Sequence, residues 1–400
     1  MFTSLALIIL MGLAMGALCQ RLRLPKIIGM LFTGLVLGPY CLDLLDESIL
    51  AISGDLRKMA LLVILLKAGL SLDIQDLKKV GRPAVLLSFL PASFEIVAYV
   101  ILGPRFLGIS SLEVALMGAV LSAVSPAVVV PRMVDLIEKK YGRKKAIPQM
   151  IMAGASCDDI FVLVLFTSFL GMVQGGSGQW KALLNVPLAI VLGIFLGGLM
   201  GYGLYLYFEG AYQRSRPIRN TTKVLILLGI SFCLLALEEG LKGKLAISGL
   251  LAVMSMASVL RMKTTDFVAG RLAEKFGKLW IGAEVMLFVL VGAAVDVRYT
   301  LGAGLPALLL IVLALGFRSL GVFLSTSKTN LNTGERIFCI LSYLPKATVQ
   351  AAIGSVPLSL GLPCGKLILS VAVLGILITA PLGAFAMDGT YKKLLKKEDE

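Results

Sequence analysis

Two adjacent carboxylates lie in the middle of a long apolar stretch of this sequence. Asp158 and Asp159 occupy the run 148–172, which is about as long as a bilayer-crossing helix. At about 1.5 Å per residue, Asp158 would lie roughly 15 Å from the helix start, near the middle of a hydrocarbon core about 30 Å thick. A charged side chain there costs on the order of 2.5–3.5 kcal/mol. The pair is therefore expected to face a wet cavity or a cation.

Three further charged residues are predicted to lie deep within apolar segments: Glu95, Arg318 and Lys346. Such groups must pair with one another or reach water. Arginine stays protonated when it is desolvated, so Glu95 and Arg318 are interpreted as a structural or gating ion pair. A buried lysine can release its proton, so Lys346 is predicted to be a proton-coupled partner of the aspartates. Glu284 lies nearer a predicted span end and is expected to snorkel to the interface.

Oxygen atoms near the aspartates would complete a site for a hard cation such as Na⁺ or Li⁺. They are the carbonyls near Ser125 and the hydroxyls of Ser156 and Thr348. Two adjacent carboxylates repel each other when both are ionised, so protons and the cation would compete for the pair. Competition at one site, combined with alternating access, gives antiport by mass action without ATP. When the cation binds, a pair between an aspartate and Lys346 is expected to break.

The same residues bear on other classes of membrane protein. An intramembrane aspartyl protease needs aspartates on separate helices, one of them in a GxGD motif, which this sequence lacks. A channel does not need a lysine opposite its carboxylates. A sodium-coupled solute symporter and a K⁺/H⁺ antiporter stay open as alternatives. We expect no enzyme activity and no cofactor.

The composition is that of a polytopic helical membrane protein. Of 400 residues, 58% are hydrophobic and 16% are charged, against about 25% charged in a soluble domain. Long apolar blocks without strand alternation exclude an outer-membrane barrel. The net charge of +14 is interpreted as basic cytoplasmic loops, with no nucleic-acid partner. Six cysteines without CxxC spacing indicate neither a disulfide framework nor zinc.

The apolar blocks predict thirteen membrane spans. Their approximate bounds are 2–20, 27–43, 55–72, 84–103, 112–131, 148–172, 181–207, 223–240, 245–260, 278–296, 300–325, 335–356 and 366–387. The connecting loops alternate between basic and neutral or acidic. By the positive-inside rule, this alternation predicts an N-terminus outside and a cytoplasmic C-terminus. The membrane is expected to be a cell inner membrane, as the family resemblance given below implies.

An internal repeat relates the two halves of the chain. GLSLD at 69–73 resembles GAAVD at 292–296, and LSAVSPAVV at 121–129 resembles LSYLPKATV at 341–349. The matched segments are an odd number of spans apart, so the repeats are inverted, from about 27–172 and 245–387. Inverted repeats are typical of transporters whose site lies at the midplane between the halves.

Two spans related by this repeat are predicted to be broken. Pro126 lies within the fifth span and Pro345 within the twelfth. Proline removes a backbone donor and frees carbonyls one turn earlier in the helix. Freed backbone is tolerated at membrane depth where it lines a cavity or is buried in protein. The two breaks are therefore expected to cross near the midplane, beside the buried charges.

Four motifs at these positions resemble one known family. They are SCDD at 156–159, LPKATVQAAIG at 344–354, PASFEIVA around Glu95, and FRSLGVFLS around Arg318. They resemble sodium/proton antiporters of the NHA branch of the monovalent cation:proton antiporter superfamily, in a minimal bacterial form. The resemblance implies that Asp158 and Asp159 bind the Na⁺ or Li⁺ ion and protons. It implies that Lys346 and Arg318 are basic partners and that Glu95 is the acidic partner of one of them.

The resemblance also implies the architecture and assembly. The expected fold is all-α with about thirteen transmembrane helices, two inverted repeats and crossed broken helices, the NhaA/NapA-like antiporter fold. A mobile core domain is expected at about 55–172 and 278–356, with dimerisation and scaffold helices at about 1–43 and 181–260. The implied partners are monovalent cations, protons, the lipid bilayer and a second copy of the chain.

Overall fold

The computed structural model of the chain describes residues 1–22, 24–71, 81–175, 180–214, 218–241, 247–296 and 304–397. Within these ranges the chain forms eighteen helices and one isolated β-bridge. The first nine are α1 Phe2–Arg21, α2 Lys26–Leu37, α3 Glu47–Ala51, α4 Ser53–Ser71, α5 Arg82–Leu87, α6 Leu90–Leu107, α7 Ser111–Ser122, α8 Pro126–Glu138 and α9 Ile147–Gly175. The others are α10 Trp180–Gln213, α11 Asn220–Leu241, α12 Gly249–Lys263, α13 Asp266–Ala293, α14 Gly304–Ser325, α15 Thr333–Ser342, α16 Thr348–Gly354, α17 Val356–Ser359 and α18 Gly365–Leu394.

The prediction of an all-helical, multi-pass membrane protein is confirmed. Each of the thirteen predicted spans contains helix in the described ranges. Nine of these segments are long and apolar enough to cross a membrane. The other four are shorter, more charged or interrupted.

Two predicted spans are interrupted at the positions where their proline residues predict a break in the helix. Residues 123–125 separate α7 from α8, and residues 343–347 separate α15 from α16. Pro126 is the first residue of α8, where a missing N–H costs nothing. Pro345 disfavours helical backbone at the residue before it. Each interruption leaves backbone groups without helical partners, close to the predicted mid-depth of its span.

Contacts group the chain into two units. The first comprises Met1–Arg57, Asp73–Phe169 and Val285–Glu400, and the second Lys58–Leu72 and Leu170–Glu284. The division into a mobile core and scaffold helices stays a prediction. Asp73, part of the repeat match at 69–73, lies outside the described residues.

One expectation about a span end is wrong. Glu284 does not snorkel, because its side chain is 1% exposed. The predicted span began at residue 278, whereas α13 begins at Asp266. The longer helix places Glu284 well inside it.

The C-terminal segment contacts the loop that precedes α9, the helix that carries the two aspartates. The Gly142 N–H donates to the Lys396 carbonyl at 3.0 Å. Nearby, the Arg132 guanidinium forms two hydrogen bonds to the Asp388 carboxylate, at 3.0 and 3.1 Å. This fork geometry ties α8 to α18.

In the second unit, α10 packs on α12 through three glycines spaced four residues apart. A Cβ atom at Gly193, Gly197 or Gly201 would collide with a backbone carbonyl of the segment 248–256. Small residues at this spacing let two membrane helices approach closely, which is the main source of their packing energy in lipid.

We predict that Gly197→Val lowers the melting temperature of the detergent-purified protein. The added side chain would meet the Ala252 carbonyl, and overpacking of this kind costs about 1–3 kcal/mol. Gly203→Val is the matched control, because a Cβ there has no heavy atom within 4 Å. Equal melting temperatures for the two variants would contradict the packing account.

Candidate functional site

The two interrupted spans contact each other at their breaks, inside the first unit. The Ser125 N–H donates to the Pro345 carbonyl at 2.8 Å. Residues on both sides are buried, including Val124 and Ala347, each 0% exposed. The breaks therefore form a pocket of polar backbone within an apolar bundle, and each freed group needs a partner.

Three consecutive carbonyls at the end of α7 each receive a side-chain donor. Lys346 Nζ donates to the Leu121 carbonyl and Arg318 Nη1 to the Ser122 carbonyl. Gln350 Nε2 donates to the Ala123 carbonyl at 2.6 Å. A helix C-terminus carries partial negative charge, so two cations and an amide stabilise it here.

Glu95 lies between the two buried cations. Its Oε2 is 2.7 Å from Arg318 Nη1 and its Oε1 is 2.6 Å from Lys346 Nζ. All three side chains are at most 1% exposed. Arg318 Nε also donates to the Tyr343 carbonyl at 2.6 Å, which ties α14 to the second break. A buried pair needs such additional bonds, because desolvation otherwise outweighs the attraction.

Asp158 is the second carboxylate of this cluster. Its Oδ2 accepts the Val124 N–H at 2.7 Å and lies 3.5 Å from Arg318 Nη2. Asp159 follows it on α9, about 100° further around the helix. Asp158 Oδ1, Asp159 Oδ1 and Ser125 Oγ are buried and have no hydrogen-bond partner among the described residues. Carboxylate and hydroxyl oxygens with free lone pairs can ligate a cation or receive a proton.

The structure places Lys346 differently from the expectation. The sequence predicts an ion pair between an aspartate and Lys346, but Lys346 pairs with Glu95, and the cation beside Asp158 is Arg318. The physical reason is the break itself. Lys346 Nζ donates a hydrogen bond to the Leu121 carbonyl beside the break, and Glu95 is within ion-pair distance of that position.

The three hydroxyl residues that the sequence predicts as cation ligands lie on three different elements. Thr348 is the first residue of α16 and is 2% exposed. Ser125 precedes α8 within the break. Ser156 lies in α9, and its side chain is outside the described part of the chain. The roles of all these residues at a cation site stay predictions.

Sequence reasoning missed three residues at the breaks. Gln350 is 0% exposed and joins both breaks, since its Oε1 also accepts the Ala347 N–H at 2.7 Å. Thr379 Oγ1 accepts the Lys346 N–H at 3.0 Å. Tyr343 takes part through its backbone carbonyl, for which a sequence carries no signal. Gln350 did carry a signal in the sequence, because it is a polar residue four positions after Lys346 in an otherwise apolar segment.

The chain is similar to several known exchangers. The family described as "Sodium/hydrogen exchanger, transmembrane" matches residues 5–388. "Sodium/hydrogen exchanger 9B2" of Mus musculus is 33% identical over 391 residues, covering 94% of this chain and 69% of the relative. "Sodium/hydrogen exchanger 9B1" of Homo sapiens is 30% identical, covering 96% of this chain and 76% of the relative.

A solved structure shows the same fold. The sodium proton antiporter MjNhaP1 from Methanocaldococcus jannaschii, at pH 8, superposes with a TM-score of 0.82. The alignment covers 98% of both chains at 21% sequence identity. The predicted antiporter fold is confirmed, and with the family match over nearly the whole sequence, this chain belongs to the transmembrane sodium/hydrogen exchanger family.

Proposed function

We propose that this protein exchanges Na⁺ or Li⁺ for H⁺ across the membrane by alternating access, with Asp158 and Asp159 as the shared site. The charge balance of the buried cluster carries the proposal. Arg318 and Lys346 contribute two positive charges, and Glu95 and Asp158 contribute two negative charges. Asp159 adds one more negative charge in a low-dielectric site, and a monovalent cation or a proton can neutralise it.

Competition follows from the same geometry. A bound cation draws on the free oxygens Asp158 Oδ1, Asp159 Oδ1 and Ser125 Oγ. A proton on either carboxylate removes a negative ligand and weakens cation binding. Since either occupant neutralises the site, either one permits it to move between the two sides, and the gradient of one drives the other.

The buried residues Arg318, Lys346 and Glu95 stabilise the broken helices on which this site depends. Arg318 bonds to both breaks, at the Ser122 and Tyr343 carbonyls, and to Glu95. It therefore holds the broken helices in register beside Asp158. Lys346 and Glu95 complete the cluster.

The proposal also covers the membrane in which the protein lies, its orientation there and its assembly. The alternating basic loops support an N-terminus outside and a cytoplasmic C-terminus, and the resemblance to bacterial antiporters supports a cell inner membrane location. The family resemblance supports a homodimer in the lipid bilayer. Transport coupled to ion gradients needs no cofactor, no enzyme chemistry and no nucleic-acid partner.

The direct test is proton movement in proteoliposomes, followed with a pH-sensitive dye. NaCl, LiCl, KCl and choline chloride are added in turn to the wild-type protein. Proton release on Na⁺ or Li⁺ addition supports the proposal. A response to K⁺ alone favours the K⁺/H⁺ alternative, and Na⁺ uptake that depends on a solute favours a symporter.

We predict that Asp159→Asn abolishes exchange and that Asp158→Asn impairs it severely, because each removes an anionic ligand and a proton acceptor. The same dye assay measures both. Glu274→Gln is the control, since Glu274 forms an exposed ion pair with Lys278 in the second unit. Full exchange by the double variant Asp158→Asn/Asp159→Asn would overturn the site assignment.

We predict a larger loss of stability for Arg318→Ala than for Lys346→Ala. Without Arg318, the Ser122 and Tyr343 carbonyls lose their side-chain donor and Asp158 loses its 3.5 Å cation. Breaking a buried pair in this way costs about 3–5 kcal/mol. Without Lys346, Glu95 keeps its pair with Arg318, so transport should fall more than stability.

Thermal unfolding in detergent, measured beside transport, separates the two variants. An Arg318→Ala protein as stable as the wild type would contradict the supporting role of this residue.

A further inference from the structure

We propose that Gln350 is a positioning residue that orients the Ala123–Val124 peptide toward Asp158 and thereby sets how well the cation competes with protons. This inference rests on the proposed exchange at the aspartates. It concerns a residue that touches neither aspartate directly, and it starts from a single peptide group.

That peptide group is held from both ends. Its carbonyl, on Ala123, accepts a hydrogen bond from Gln350 Nε2 at 2.6 Å. Its N–H, on Val124, donates to Asp158 Oδ2 at 2.7 Å. Because a peptide is planar, its carbonyl and N–H turn together. Gln350 therefore fixes the direction in which the Val124 N–H points.

The orientation of the Gln350 amide is itself determined by its partners. The Ala347 N–H requires an acceptor, which Oε1 supplies at 2.7 Å, and the Ala123 carbonyl requires a donor, which Nε2 supplies. The side chain is 0% exposed, so water does not compete for these bonds. Gln350 thus links the start of α16 to the carboxylate on α9 through one peptide plane.

The link favours the ionised form of Asp158. A hydrogen bond from a backbone N–H to a carboxylate is strengthened when the same peptide's carbonyl also accepts a bond. Without the Gln350 bond, the Ala123–Val124 peptide is free to turn and the anion loses its donor. Asp158 then holds a proton more readily, and a cation competes less well for the site.

The titratable and charged groups that act on Asp158 are unchanged by a neutral substitution such as Gln350→Met. They are Arg318, Glu95, Lys346, Asp159, Tyr343 and Cys157. A shift in pH dependence on substitution would therefore come from the peptide, and not from a new or missing charge.

The decisive variant is Gln350→Met, which keeps the volume and removes both hydrogen bonds. We expect the KM for Na⁺ or Li⁺ at a fixed pH to rise about tenfold, with a smaller change in maximal rate, because the ionised Asp158 carboxylate loses the Val124 N–H as a well-oriented donor. The pH profile of exchange should shift about one unit to the alkaline side, since a tenfold change corresponds to one pH unit.

Gln350→Glu is the rescue variant. Its protonated carboxyl has one donor and one acceptor, as the glutamine amide has, so it can restore both bonds. We expect its KM to be near that of the wild type at the acidic end of the active range. As the pH rises, its KM should increasingly exceed that of the wild type, because the ionised side chain cannot donate to Ala123.

Ser355→Ala is the matched control. Ser355 is also buried, beyond α16, and its hydroxyl donates to the Ala352 carbonyl of the same turn. Its KM and pH profile should equal those of the wild type, with melting temperatures recorded for every variant.

Two results would overturn the inference. One is a Gln350→Met protein whose KM and pH profile lie within twofold and a few tenths of a unit of the wild type. The other is a Gln350→Glu protein whose KM follows the pH dependence of the wild type, which decides the matter even where Gln350→Met does not fold. Failure of the wild type to exchange would instead reject the proposed function.

Discussion

The contact between two interrupted helices is the constraint on which the rest of the site depends. Each interruption frees backbone groups at membrane depth, where an unsatisfied group costs several kcal/mol. The chain meets this cost with side chains from other helices. Arg318, Lys346 and Gln350 satisfy three consecutive carbonyls at the end of α7, and the two breaks bond to each other through Ser125 and Pro345.

This arrangement explains why charges are buried in an otherwise apolar bundle. The cations are needed at the α7 carbonyls, and once buried they need anions, which Glu95 and Asp158 provide. Asp159 is then a third carboxylate, beyond the two that balance the two cations. The same helix breaks that require a structural cluster therefore also create a place where one additional positive charge is favourable. In the proposed exchange, one set of interactions would serve both the stability of the breaks and the ion site.

Much of this could be predicted from the sequence, and the reasons are physical. Long apolar blocks fix the spans, proline fixes the two breaks, and charge within apolar segments identifies Glu95, Asp158, Asp159, Arg318 and Lys346. Pairing was harder, because the depth of a residue can be read from its position in a span while the direction of its side chain cannot. For this reason the sequence predicts an ion pair between Lys346 and an aspartate, whereas in the structure Lys346 pairs with Glu95. A polar residue such as Gln350 is visible within an apolar segment, but the sequence does not show which backbone carbonyl it bonds.

The measurement that tests the central claim most directly is proton release on cation binding by the purified protein. Na⁺ or Li⁺ is added to wild-type protein in weakly buffered detergent solution containing a pH dye. Competition at Asp158 and Asp159 predicts that saturable cation binding releases protons, and that the double variant Asp158→Asn/Asp159→Asn releases none. Saturable cation binding by the wild type without proton release, or equal release by the double variant, would contradict it.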